Sequence, residues 1–124
     1  MLFRSKPTVV NNVMTLASVP WLLEHGGAAY AAHGVNRSKG TLPFQLAGNV
    51  QRGGLVEVPF GVTLRTLLED FGGGTRSGRP IKAVQVGGPL GPWLPASKFD
   101  LPLDYEAFAQ GGVMPCAAGV SGKF

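Results

Sequence analysis

Cysteine is almost missing. The 124 residues hold one, Cys116. A single thiol cannot close an internal disulfide. It cannot by itself build a structural zinc site or an iron–sulfur site, each of which takes about four ligands. A reducing compartment is the expectation. Charge is also scarce, at 15% of residues where about 25% is usual for a soluble domain. The eleven basic residues outnumber the seven acidic ones, yet they are scattered, and only Arg76, Arg79 and Lys82 cluster. Nucleic-acid binders concentrate their charge on one face, often with aromatics for stacking, so no nucleic-acid partner is expected. No apolar run approaches the roughly 20 residues that span a bilayer, which speaks against direct membrane insertion. Residues 1–7 lack the apolar core and small-residue cleavage site of a secretory signal. The expected location is cytoplasmic, either soluble or peripheral on the cytoplasmic side of a membrane.

Several catalytic signatures are missing too. There is no G-x-G-x-x-G spacing and no Gly-Lys-Ser/Thr phosphate loop. Gly87-Gly88-Pro89-Leu90-Gly91 follows a strand pattern, but no helix pattern follows it, and a tight turn explains it. His25 and His33 have neither zinc-helix nor zinc-finger spacing. Glu69 and Asp70 are adjacent on a helix pattern and do not converge on one face. No Ser-His-Asp or paired-carboxylate arrangement follows from spacing, and no catalytic or metal-binding residue is assigned.

Glycine, at 19 residues, and proline, at 10, are abundant. Such a chain favours turns and short strands. The hydrophobic share of 44% is enough for a core. The pattern divides into residues 1–40, 41–95 and 96–124. In the first part Lys6-Pro7-Thr8-Val9-Val10 reads as extended, because Pro disfavours helix in the residue before it. Asn11-Asn12 then caps a helix that begins near Val13. Pro20 is expected to kink or end that helix, with a second short helix over Trp21–Glu24. Gly26-Gly27 stops it, and one or two helical turns follow from Ala28 to His33.

The second part reads as strand, strand, helix, strand. Residues 42–48 alternate with period two. Residues 49–54 turn, and 55–60 form a second strand whose Pro59 marks a sheet edge. Thr63 caps a helix whose Leu64, Leu67, Leu68 and Phe71 fall at i, i+3, i+4 and i+7, one apolar stripe. Gly72-Gly73-Gly74 ends it. Residues 81–86 alternate again, and Trp93-Leu94 adds a short strand. The order matches an α+β fold of the β-grasp kind, with one helix on one sheet face. In the third part Asp104 caps a short helix over Tyr105–Ala109. Residues 113–124 show no period and read as a disordered tail.

The stretch from Pro7 to Leu16 is the most informative. It gathers amide and hydroxyl groups at a helix start, and its plain reading is an extended segment running into a capped helix. A helix N-terminus also suits an anion such as a flavin phosphate. Lys6-Pro7-Thr8-Val9-Val10-Asn11-Asn12-Val13-Met14-Thr15-Leu16 resembles the segment that closes the flavin domain in the NADH- and FMN-binding subunits of respiratory complex I, NAD-dependent formate dehydrogenases and NAD-linked hydrogenases. Further matches follow in the family's order: Arg37-Ser38-Lys39-Gly40-Thr41, Ala47-Gly48-Asn49-Val50, Val58-Pro59-Phe60-Gly61, residues 83–91, and Leu103-Asp104-Tyr105-Glu106. Residues 42–48 and Phe71-Gly72-Gly73-Gly74 look closer to the β subunit of formate dehydrogenase.

The resemblance implies that residues 1–40 end an FMN/NADH-binding domain. It further implies that 41–95 form a soluble-ligand-binding β-grasp domain and that 96–124 lead toward an iron–sulfur domain. It places Asn11, Asn12 and Thr15 at FMN. For a complete subunit it implies FMN, NAD and a 4Fe–4S cluster, together with partner subunits of a redox complex. The family's earlier glycine-rich FMN and NADH loops and its later cysteine cluster have no counterpart here. Met114-Pro115-Cys116-Ala117 stands where the family has a His-Gly-Gly segment, as a truncation or a shifted reading frame would leave it. Met14 stands where many relatives carry Glu. The chain alone is therefore expected to hold no cofactor stably and to be inactive. The rival expectation is a stand-alone β-grasp ligand- or protein-binding module without redox activity.

Overall fold

The computed structural model describes residues 2–88, 90–110 and 119–123, with backbone alone at 2–3 and 119–123. The chain divides into two compact units, Met1–Ala32 and His33–Phe124.

The first unit opens with two short antiparallel strands, β1 (Leu2–Phe3) and β2 (Lys6–Pro7). Two helices follow, α1 (Val13–His25) and α2 (Gly27–Ala32). α1 starts where an Asn side chain can replace the missing turn: Asn12 is extended, and its Oδ1 accepts the Met14 N–H at 2.9 Å. Of the two outcomes expected at Pro20, a kink or an end, the helix does not end there. Pro20 lies inside α1, which runs on to His25 and absorbs the expected second helix. Proline removes only its own bond to the carbonyl four residues back. The turn beyond it is held by other contacts. The Trp21 and His25 rings stack at 4.3 Å, and the Gly26 N–H closes on the Leu22 carbonyl at 2.8 Å. Gly26 then takes φ +85°, a left-handed conformation that glycine adopts without cost.

The second unit begins with a hairpin, β3 (Gly34–Val35) and β4 (Ser38–Lys39). Asn36 turns it in the left-handed region at φ +46°, which Asn tolerates better than most residues. Its main sheet holds β5 (Thr41–Gly48), β6 (Gly54–Pro59), β7 (Ala83–Val86), β8 (Trp93–Pro95) and β9 (Gly119–Lys123), in the order β6-β5-β9-β7-β8. β5 and β6 pair antiparallel, from Thr41 opposite Pro59 to Leu46 opposite Gly54. Pro59 lies on an edge strand, where its missing N–H costs no ladder bond. β9 runs parallel to β5 and antiparallel to β7.

That central strand corrects the expectation of a disordered tail for its last residues. Gly119–Lys123 shows no hydrophobic period. Its backbone is nonetheless paired on both sides, and main-chain pairing needs no side-chain pattern. The rest of the expected tail, residues 113–118 and 124, lies outside the described residues.

Between β6 and β7 the chain crosses the sheet through α3, Leu64–Thr66, which continues as a π-helical turn over Leu67–Phe71. Thr63 caps it, its hydroxyl accepting the Thr66 N–H at 3.1 Å. The Leu64 and Arg65 N–H groups are met from outside by the carbonyls of Leu101 and Phe99, which satisfies donors that a helix start leaves open. Leu64, Leu67 and Leu68 are fully buried. Phe71, expected on the same stripe, is 40% exposed. The stripe assumes 3.6 residues per turn, and a π turn is wider. Its signature is the Gly72 N–H bonding the Leu67 carbonyl five residues back, at 3.0 Å. The wider turn carries Phe71 off the buried face. α4 (Tyr105–Gln110) begins after Asp104, as its capping pattern predicts, and buries Phe108. The core joins Phe44, Leu46, Val58, the α3 leucines, Val84, Val86, Phe99 and Phe108. The described helices and mixed sheet make this an α+β fold.

Candidate functional site

The three residues singled out for a cofactor, Asn11, Asn12 and Thr15, lie together at the start of α1 in the first unit, and all are exposed. Asn12 has a structural duty: its side chain caps the Met14 N–H, and its carbonyl receives the Leu16 N–H at 3.2 Å. Thr15 stands within the first turn. Asn11 precedes the cap in extended chain. The first turn of α1 carries no acidic side chain. The partial positive charge of a 13-residue helix is therefore not offset locally. Around this start the surface is apolar as well as polar, since Val9, Val10, Val13 and Leu16 are more than half exposed. The arrangement offers hydrogen-bonding groups, a helix dipole and apolar side chains on one exposed segment.

The glycine-rich turn is not an anion cradle. The Gly91 N–H bonds the Gly88 carbonyl at 3.0 Å, the chain enters β8 rather than a helix, and Pro89 lies outside the described residues. A Cβ on Gly91 would collide with the Val86 carbonyl oxygen. This glycine therefore serves close backbone approach. Among the described residues no group of three or more His, Cys, Asp or Glu side chains could hold a metal ion. Cys116 lies outside the described residues.

One polar cluster escaped the sequence pattern. Asp104, almost fully buried, accepts the Ser38 hydroxyl at 2.5 Å and the Asn36 amide at 3.4 Å. The Ser38 bond is the main reason its carboxyl is held below the usual range. Burial opposes this, and Asn36 and the N–H groups of Glu106 and Ala107 reinforce it. The cap at Asp104 was legible, but its partners 66 and 68 positions away were not. The role is structural, fastening the β3–β4 hairpin to α4. A second cluster is exposed: Arg65 holds Asp100 through two bonds, at 2.6 and 3.0 Å, and reaches Glu69 at 3.3 Å.

No family model matches the chain. Individual proteins do. It is 46% identical over 104 residues to HndC, a subunit of the NADP-reducing hydrogenase of Solidesulfovibrio fructosivorans, covering 84% of this chain and 21% of that protein. It is 40% identical over 116 residues to the F 2 subunit of the NADH-quinone oxidoreductase of Rhizobium meliloti, covering 94% and 28%. With the F subunit of the Escherichia coli enzyme the identity is 41% over 107 residues, covering 86% and 24%. The fold superposes on an NAD+-reducing NiFe-hydrogenase crystal structure with a TM-score of 0.72 at 36% identity, covering 94% of this chain and 19% of that one.

These relatives are subunits of oxidoreductases linked to nicotinamide nucleotides. The chain is similar to one stretch of NADH-quinone oxidoreductase F subunits and of their hydrogenase counterparts. It spans between about a fifth and a little over a quarter of the length of these relatives.

Proposed function

We propose that this chain is the portion of a flavin- and NAD-binding subunit that ends the flavin domain and continues into a β-grasp domain. The subunit would move electrons between NAD(H), FMN and iron–sulfur centres. The observation that carries this reading is identity of 40–46% along most of the chain to named subunits of NADH-quinone oxidoreductases and an NADP-reducing hydrogenase.

When bound, FMN supplies the exchange between hydride and single-electron transfer, and the protein supplies binding and orientation. Asn11, Asn12 and Thr15 would form one wall of its site. Their fit rests on exposed amide and hydroxyl groups at an unneutralised helix start. The chain's own residues would hold the flavin by hydrogen bonds and exclude water with Val10 and Val13. NAD and a 4Fe–4S cluster would be held by other parts of such a subunit, and the partners would be the other subunits of a redox complex. A cytoplasmic location goes with this reading. Among the described residues no helix is long and apolar enough to cross a membrane.

Support for the β-grasp reading comes from the topology. A first hairpin, a helix crossing and a second hairpin are completed by a last strand lying parallel to the first at the sheet centre. Residues 42–48 and 71–74 favour a formate dehydrogenase parent, whereas the named relatives are hydrogenase and quinone-reductase subunits. The stand-alone binding module draws support from one observation: the second unit closes a core of its own.

The test is a chimera. Residues 1–110 replace the matching stretch of the Escherichia coli F subunit, and FMN content and NADH oxidation are measured in the assembled enzyme. Retained flavin and activity are expected. A chimera that assembles without flavin would remove the flavin-wall reading and leave the module.

A further inference from the structure

α1 is apolar where a surface helix is polar. Its residues, Val13–His25, include one acidic side chain, Glu24, and no Lys or Arg. Val13, Leu16, Pro20 and Leu23 fall at i, i+3, i+7 and i+10, which sets them in one stripe along the helix. Val13 is 76% exposed, Leu16 55% and Leu23 78%. Val19 borders the stripe and is exposed, as are Val9 and Val10 just before the helix. The half-buried residues of α1, Met14 and Ser18, lie on the other side, at i and i+4. Trp21 continues that side and meets Tyr30 of α2, ring to ring at 6.3 Å. No residue of α1 or α2 is fully buried.

A helix that turns one side to its neighbour and the other to water carries polar residues on the second side. Here the second side is apolar, which is the pattern of a helix covered all round. A contiguous apolar surface of this kind marks an interaction site. A membrane surface fits it poorly, because a helix lying on lipid sets Lys and Arg opposite its apolar face, and α1 has neither. The relatives supply a better occupant. The chain matches about a fifth to a little over a quarter of the length of each, so most of such a subunit lies outside it.

We propose that the stripe of Val13, Leu16, Pro20 and Leu23 docks against an apolar layer of the same subunit, contributed by the length that this chain does not include. The stripe runs for about 15 Å at 1.5 Å per residue, enough to seat several Leu-, Val- or Phe-type side chains of the covering layer. Burial on both sides makes α1 an interior helix of the complete subunit. The inference rests on the reading of the chain as one stretch of a flavin- and NAD-binding subunit. It needs no contact of Asn11, Asn12 or Thr15 with FMN.

Leu23→Cys tests it through the rate of reaction with a soluble maleimide, followed by mass spectrometry on the peptide that carries residue 23. In the full chain the thiol should react as freely as one in a short peptide. In the assembled chimera of residues 1–110 with the Escherichia coli F subunit, it should react at least about a hundredfold more slowly. If Leu23→Cys keeps the chimera from assembling, hydrogen exchange of the otherwise unaltered chimera decides. The amides of α1 should then exchange at least about a hundredfold more slowly than in the full chain. Equal rates in chain and chimera overturn the proposal. Protection in the chain alone that grows with its concentration overturns it too, and assigns the stripe to a second copy. Protection that appears only with phosphatidylglycerol vesicles overturns it in favour of a lipid surface. Flavin content is scored separately. A chimera that protects residue 23 yet lacks FMN supports this proposal and removes the flavin-wall reading alone, whereas one that holds FMN with residue 23 fully reactive does the reverse.

Discussion

The Ser38 hydroxyl donates to Oδ1 of Asp104 at 2.5 Å, joining residues 66 positions apart. Asp104 also starts α4, so one carboxylate holds a helix and the β3–β4 hairpin together. Its acceptor bonds, led by that from Ser38, keep its carboxyl below the usual range in the folded chain. The stabilisation is then fully present above the unfolded value of about 3.9. It is lost as pH falls through the lower folded value. Asp104→Ala should cost about 2–4 kcal/mol, from a lost cap and a stranded buried hydroxyl. Denaturation midpoints of Asp104→Asn should fall less steeply on acidification than those of the unaltered chain. High salt should be used to screen the exposed Arg65–Asp100 pair, whose Asp100 is held low by the same kind of bond. Identical acid slopes would show that the carboxylate's charge contributes nothing.

Leu67 and Phe71 separate the α-helical from the π-helical reading of α3. Leu67 is fully buried and Phe71 is 40% exposed. Leu67→Ala should cost about 2–5 kcal/mol. Phe71→Ala should cost less than about 1.5 kcal/mol, because much of its ring already meets solvent. Urea unfolding of both variants measures this. A larger loss for Phe71→Ala would mean that the helix keeps a regular stripe.

Gly91→Ala should destabilise the second unit by on the order of 3 kcal/mol. The added Cβ would run into the Val86 carbonyl oxygen, and backbone cannot swing away as a side chain can. Gly88→Ala, with nothing within 4 Å but φ +84°, should cost less, about 1 kcal/mol. Thermal melts that rank the two in reverse order would remove the close-approach role of Gly91.

What the residues disclosed beforehand was local. The caps at Asn12, Thr63 and Asp104 and the 42–48/55–60 hairpin follow from neighbours a few positions apart, and the structure has each. Phe71 leaves the expected stripe because an ideal period ignores a π turn, and no separate helix starts at Trp21 because contacts beyond Pro20 carry α1 on to His25. The Ser38–Asp104 bond could not be read, because nothing local pairs them. β9 could not be read either, because its place is set by backbone demand from β5 and β7. At the candidate site, the residue types and the helix start were legible. The proposal that they concern a flavin rests on resemblance, because amides at a cap look alike whether or not a ligand is present.

The last expectation separates capping from cofactor binding at Asn11, Asn12 and Thr15. Asn12 Oδ1 holds the Met14 N–H at 2.9 Å, so Asn12→Ala should lower the stability of α1 by about 1 kcal/mol. Asn12→Ser should restore most of it, because serine caps nearly as well. Asn11 precedes the cap and Thr15 follows it, so neither closes that ring. Replacing either with Ala should leave helix content unchanged. In the chimeric enzyme, by contrast, Asn11→Ala and Thr15→Ala should each weaken FMN binding by roughly tenfold to a hundredfold. That is the scale of a lost bond to a charged or strongly polar group, about 1.5–3 kcal/mol. Helix content comes from circular dichroism of the chain, and flavin affinity from fluorescence quenching in the chimera. The two readouts are independent, so a capping effect cannot pass for a flavin contact. Unaltered FMN affinity in both Asn11→Ala and Thr15→Ala would leave this helix start with a structural role alone.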